Sequence, residues 1–191
     1  AIEQGHEVTA FVRNPEKLKQ THEKLHIFKG DVLDFSAVTD AVQGKDAVLC
    51  AIGIPKIMDN TMLRKNGTRN IIRAMEKTGV ERFICQSSLG VGSSRNLLPF
   101  FKNFLLITLL LRRVIADHAA QEEYIKKSQL DWTITRPGSL TDGDLTGSYR
   151  HGITFENQPP LFKISRADAA DFMLKQLTDN AYLRKTPCIT Y

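Results

Sequence analysis

A doubly wound α/β fold, a parallel sheet with helices on both faces, is what this sequence predicts, and three observations predict it. Short apolar runs rich in β-branched residues recur along the chain, each is followed by a stretch with helical spacing, and the runs are apolar on both faces, as in strands covered from both sides. At 191 residues, 42% hydrophobic and 25% charged, the chain has the size and composition of one globular domain, expected to span residues 1–191.

The elements follow in order. A helix tail closed by Gly5, a residue suited to the left-handed C-cap, leads into a strand over residues 7–12. Asn14 as N-cap and Pro15 at the first helical position open a charged helix. A strand over 26–29 ends in the turn Gly30-Asp31, and a helix with Ser36 as its expected N-cap follows. Residues 46–51 form a third, nearly all-apolar strand followed by Gly53. A long helix runs from about 59 to 77 and stops at Gly79, and 82–86 form the fourth strand. Beyond Ser88 the order loosens into a Gly/Ser/Asn loop, an apolar stretch, a polar helix from about 115 to 127 and a strand over 132–135. Candidate strands near 147–155 and 163–164, a helix over 165–177 and a strand near 187–191 complete the chain.

Bulk properties narrow the function classes. Lys and Arg exceed Asp and Glu to give a net charge of +5, so the surface attracts anions. The basic residues come only in short pairs such as Arg64-Lys65, Arg112-Arg113 and Lys126-Lys127, with no basic arm, which favours an anionic small molecule over nucleic acid. Cys50, Cys85 and Cys188 lie far apart with neither CxxC nor metal spacing, and the first two read as small buried hydrophobes, so no metal is expected and the pattern suits a reducing cytoplasm. The most lipid-like stretch, 97–111, is broken by Lys102 and Asn103, and its unbroken part is far below the roughly 20 residues of a membrane span. It is expected to pack on the sheet edge, to cover a substrate site as a lid, or to meet a protein partner.

In the common strand order 3-2-1-4-5-6 the first strand is central, between strands 2 and 4. The turn after residues 7–12, Arg13-Asn14-Pro15-Glu16-Lys17, holds no glycine and could not approach a pyrophosphate closely. Residues 7–12 therefore read as strand 2, with the central strand and its glycine-rich loop expected in roughly 15–25 residues upstream.

Ligands of such sheets bind at the carboxyl ends of the strands, and those ends nominate a dinucleotide site of Rossmann type. Arg13, ending strand 2, can grip a ribose 2′-phosphate in a bidentate fashion and stack on adenine, which favours NADP(H) over NAD(H); the competing account is an arginine that solvates a strand end. Asp31 can accept the exocyclic amine of adenine while Val32 packs on the ring, or Asp31 simply forms the turn. Ala51-Ile52-Gly53 closes the strand on the nicotinamide side, where a glycine lets the backbone pass close to a ribose or pyrophosphate, or serves only a turn. Ser87 and Ser88 end the next strand with their hydroxyls toward nicotinamide and substrate, Ser88 able to bond a substrate carbonyl; alternatively they cap the following loop.

Taken together, residues 7–13, Gly30-Asp31-Val32, Asp46-Ala47-Val48, Gly67-Thr68-Arg69-Asn70-Ile71, Gln86-Ser87-Ser88 and Arg136-Pro137-Gly138 resemble the atypical short-chain dehydrogenase/reductases. More narrowly, they are similar to the group holding biliverdin IXβ reductase (flavin reductase) and the NmrA-like NAD(P)H-binding proteins. Leu145-Thr146-Gly147-Ser148-Tyr149 and Ile164-Ser165-Arg166-Ala167-Asp168 also fit that group, with one divergent block, an apolar insert or lid, at about 91–114. The resemblance implies that Arg13 contacts the 2′-phosphate, Asp31 and Val32 the adenine, and Ile52 and Gly53 the cofactor through their backbone. It puts Ser88 beside the nicotinamide, with Pro137 and Gly138 lining the same end.

Ordinary short-chain enzymes use a Tyr-xxx-Lys pair, and here those positions hold His118 and Glu122. As an i, i+4 pair they could relay protons, or His118 could be an ordinary exposed helix residue. The departure argues against alcohol oxidation and suits the flavin-reductase type, in which the cofactor supplies hydride and water can supply the proton. The sequence thus implies an NADPH-dependent reductase of a flat aromatic acceptor such as a flavin, quinone or tetrapyrrole. A non-catalytic NADP(H) sensor of NmrA type is the alternative, and a nucleotide-sugar epimerase or dehydratase a remoter one.

Overall fold

Strand β1 (Val8–Val12) pairs in parallel with β2 (Leu25–Lys29), Val8 opposite Leu25 through Val12 opposite Lys29, in a computed structural model that describes residues 1–53, 62–97, 111–155 and 161–191. A second sheet holds β3 (Ala47–Cys50), β4 (Arg82–Gln86), β5 (Asp131–Pro137), β9 (Cys188–Thr190) and β7 (Arg150–Gly152) in the order β3-β4-β5-β9-β7. All its pairings are parallel except β7 with β9. A short parallel pair, β6 (Ser139–Thr141) with β8 (Lys163–Ser165), lies beside it. The predicted α/β class with a mostly parallel sheet is what the structure has.

Between β1 and β3 lies a slot of about 940 Å³, lined by both strands, by Val38, Ala41 and Val42, and at its far end by Leu174 and Leu177. Leu49 lines it while 40% exposed. In the doubly wound order this is the central strand position. The edges of β1 and β3 that border it carry backbone groups that a strand between them would satisfy.

The helices are α1 (Phe35–Val42), α2 (Leu63–Thr78), α3 (Arg112–Lys127) and α4 (Arg166–Lys175). Helix α2 buries Ile71, Ile72, Ala74 and Met75 against Phe83, Ile134, Trp132 and Ile125, and it ends at Gly79 in the left-handed conformation, as its sequence predicts. A smaller cluster, Ile164, Ala169, Phe172 and Ile189, forms around β8 and α4. The buried Ser165 caps α4 by accepting from the Asp168 N–H at 2.9 Å.

Local expectations shift in three places, and a fourth lies outside the described residues. The helix expected after Asn14 is only a 3-10 turn over Pro15–Lys17, because residues 18–24 offer no apolar stripe to bury. Asp34, not Ser36, caps α1, its carboxylate accepting from Ser36 and Ala37 N–H groups at 2.9 and 3.2 Å. Strand β6 was not expected at all. The apolar stretch 97–111, proposed as lid or partner surface, falls almost wholly on residues 98–110, outside the described residues, as do 54–61 and 156–160.

Candidate functional site

The upper end of the slot gathers Arg13, Gly30, Val32, Ala51, Ile52 and Gly53, so five of the eleven residues nominated from sequence line one cavity. Their convergence depends on α2. Gly67 lies inside that helix, where a Cβ would stand 2.7 Å from Val32 Cγ1 and 3.1 Å from Ile52 Cδ1; its absence lets the two apolar side chains close over the helix together. Three residues on, the buried Asn70 donates from Nδ2 to the Val32 and Leu33 carbonyls, both at 3.0 Å, and so fixes the loop after β2.

The individual residues take distinct parts. Arg13 is exposed and makes no ion pair among the described residues, which leaves its guanidinium available to an anion. Asp31 works partly in the turn: its Oδ1 accepts from the Leu33 N–H at 2.9 Å. A Cβ on Gly53 would meet nothing within 4 Å, so packing does not require glycine there and the space beside its backbone is open. These residues fit the adenosine half of a dinucleotide: an exposed cation beyond β1, an apolar pair for a flat ring, and open backbone after β3. The described residues contain no glycine-rich strand-to-helix turn of the kind that holds a pyrophosphate.

At the ends of β4 and β5 the structure revises the sequence reading. The buried Ser87 donates from Oγ to Glu122 Oε1 at 2.8 Å, pointing into α3 rather than toward a ligand. Ser88, half-buried, donates to the Leu89 carbonyl at 3.1 Å, and the Leu89 N–H reaches the Pro137 carbonyl at 2.9 Å, anchoring the loop to β5. Pro137 and Gly138 are themselves covered by protein. A Cβ on Gly138 would sit 2.5 Å from the Phe162 carbonyl carbon, so this glycine is required by the close approach of the chain before β8.

Helix α3 turns a polar row inward: Asp117, His118, Gln121, Glu122 and, at its end, Ile125. Glu122 and Arg136, each about 2% exposed at the side chain, form a two-pronged ion pair, Nε to Oε1 at 2.8 Å and Nη2 to Oε2 at 2.6 Å. Burial pushes the Glu122 carboxyl up, but hydrogen bonds and charge from Arg136, with Lys126 and Ser87, hold it below the usual range. Arg136 Nη1 also donates to Ser93 Oγ at 3.0 Å, so the pair fastens the loop that carries Ser88.

The expected His118–Glu122 pair does not form. His118 is 6% exposed, and its hydrogen bond runs from Nδ1 to Gln121 Oε1 at 3.1 Å, while Glu122 is committed to Arg136. Burial, then the nearby Arg64 charge, push its imidazole down to about 4, so at neutral pH it is uncharged and holds no proton to relay as an acid. Beside it Asp117 accepts from the Arg64 and Lys65 N–H groups at 3.2 and 3.0 Å, capping α2 from a neighbouring helix.

The functional contributions not read from sequence are those of Gly67, Asn70, Asp117 and the Glu122–Arg136 pair. The signal that was available is the Gly67-to-Asn70 spacing: a glycine and an amide three residues apart share one face of a helix.

Comparison with known proteins identifies the family and the fold. The family described as NAD(P)H-binding matches residues 1–180. A chloroplast protein of Arabidopsis thaliana, At2g34460, is 31% identical over 92% of this chain, and the chain spans 65% of that protein's length. ChuY of Escherichia coli has the same fold over the whole chain and 87% of its own. It is 24% identical with TM-score 0.80 in strain O157:H7, where it is described as an anaerobillin reductase, and 26% identical with TM-score 0.78 in strain CFT073. A short-chain dehydrogenase/reductase of Veillonella parvula, solved in complex with NADP, is 16% identical and shares the fold alone, with TM-score 0.77 over 97% of this chain and 82% of its own.

Proposed function

The chain belongs to the NAD(P)H-binding family, and from that premise we propose that it serves an NADPH-dependent reductase of a flat aromatic acceptor. The observation that carries the reading is the upper end of the slot, where exposed Arg13 and the Val32–Ile52 pair meet open backbone at Gly53. Arg13 would hold the 2′-phosphate, Val32 and Ile52 would clasp the adenine, and the Ser88 loop, fastened by Arg136, would border the nicotinamide. When bound, NADPH supplies the hydride. Neutral, buried His118 is no general acid, which supports a reaction whose proton comes from water rather than from that side chain. ChuY of Escherichia coli O157:H7, described as an anaerobillin reductase, shares the fold at 24% identity. The same burial of His118 favours, as a second reading, an NADP(H) sensor without turnover. No helix among the described residues is long and apolar enough to cross a membrane. A cytoplasmic location and a partner surface over 97–111 belong to the same proposal.

The test is turnover. The full-length protein should oxidise NADPH in the presence of FMN or a quinone and bind NADH several-fold more weakly. Arg13→Asp should reverse that cofactor preference. Absence of acceptor-dependent NADPH loss across a panel of flavins and quinones rejects the reductase in favour of the sensor.

A further inference from the structure

Cys50 ends β3 and Cys85 lies in β4, directly opposite each other in the parallel register. Neighbouring strands run about 4.8 Å apart and residues in register project to the same face, which brings the two Cα atoms within the roughly 4.4–6.8 Å that a disulfide spans. Both thiols are free and buried, 3% and 0% exposed, and the Cys85 thiol donates to the Gln86 carbonyl at 3.8 Å. Gln121 holds the pair from above, donating from Nε2 to Cys85 Sγ at 3.2 Å and to Thr68 Oγ1 at 2.9 Å.

The two sulfurs are not equivalent. The neighbouring Cys85 thiol, with the Ile52 backbone, Thr68 and the Arg64 charge, holds the Cys50 thiol below its ordinary value against the effect of burial. Burial pushes Cys85 well above it. The third cysteine, Cys188 in β9, is separated from β4 by β5, and burial pushes it up to about 11.

We propose that Cys50 and Cys85 form a redox dithiol that a hydroperoxide converts to an intramolecular disulfide. The Cys50 thiolate attacks the peroxide oxygen, the O–O bond breaks, and the alkoxide or hydroxide leaving group takes up the proton that Cys50 released. Cys50 is then a sulfenic acid. The Cys85 sulfur displaces its hydroxyl, forming the S–S bond, and the departing hydroxide leaves as water with the Cys85 proton. Two thiols lose two electrons, and the hydroperoxide is reduced to an alcohol (or water) and one water. The bond would join the strands immediately below Ala51–Gly53 and Gln86–Ser88.

The experiment treats the native full-length protein with hydrogen peroxide, then denatures it, alkylates the thiols and maps peptides by mass. Of the three thiols in residues 1–191, Cys188 alone should remain alkylatable. The intact mass should fall by two hydrogens, the Cys50 and Cys85 peptides should be linked, and dithiothreitol should restore all three thiols. In Cys85→Ser, or Cys85→Ala if the serine variant is insoluble, dimedone should capture a sulfenic acid on Cys50. Three alkylatable thiols after peroxide treatment, a link through Cys188 or between chains, or dimedone capture elsewhere than Cys50 would each overturn the proposal. The wild-type map decides even if neither variant folds.

Discussion

Replacing Glu122 with Gln removes one charge from a pair that solvent barely touches, and its cost follows from the geometry. Arg136 presents Nε and Nη2 to the two carboxylate oxygens at 2.8 and 2.6 Å. An amide offers one acceptor where two stood, and the guanidinium is left buried without a counter-charge. Breaking a buried pair from one side typically costs about 3–5 kcal/mol, because the surviving charge stays desolvated. The second cation on Glu122, Lys126, is 35% exposed at its side chain and adds under about 1 kcal/mol. For a chain of this size each kcal/mol shifts the melting temperature by roughly 2–4 °C, so Glu122→Gln should melt about 6–20 °C lower. Thermal unfolding by circular dichroism measures this directly. The double variant Glu122→Leu/Arg136→Met, which removes both charges and keeps apolar volume, should recover most of the loss. A single variant within about 1 kcal/mol of wild type, or a double variant worse than the single, would refute this account of the pair.

Two further outcomes follow from the same interior. His118, about 4 when folded and 6.5 when free, binds fewer protons folded than unfolded across that window; stability should therefore rise with pH between them, by up to roughly 3 kcal/mol. Urea midpoints at pH 5, 6 and 7 should show that slope in wild type and a flatter one in His118→Gln; equal slopes would remove His118 as its source. Gly67→Ala gains helix propensity of up to about 1 kcal/mol, yet its Cβ would meet Val32 Cγ1 at 2.7 Å. The variant should be destabilised by about 1–3 kcal/mol in denaturant titrations; a stabilised variant would mean that Val32 yields freely.

The sequence disclosed the parts of the fold that repeat a simple rule. Apolar runs marked β3 and β4, the latter buried at Phe83, Ile84 and Cys85, and Gly79 marked the end of α2 because its left-handed backbone closes that helix without strain. The grouping of Arg13, Val32 and Gly53 along one cavity was legible for the same reason: each lies in the turn or loop after a strand. The interior of α3 was not. Asp117, His118, Gln121 and Glu122 look like a solvated face, since polarity is read as exposure, and only partners on other elements, Arg64, Thr68 and Arg136, bring them inside. The Ser87 hydroxyl's bond to Glu122 was not legible either, because that partner stands 35 residues away on α3. Strand β6 escaped notice because three residues paired with three others carry no periodic signal.

Helix α2 touches residues on two sides of the candidate site, which has a consequence for ligand binding. Its Gly67 leaves room for Val32 and Ile52 to close together, and its Asn70 amide donates to the Val32 and Leu33 carbonyls at 3.0 Å. A ligand resting on Val32 and Ile52 would be held through the seating of one helix, so occupancy and that seating become a single linked equilibrium. Anything that firms the seating must raise affinity by the same factor by which the ligand steadies it.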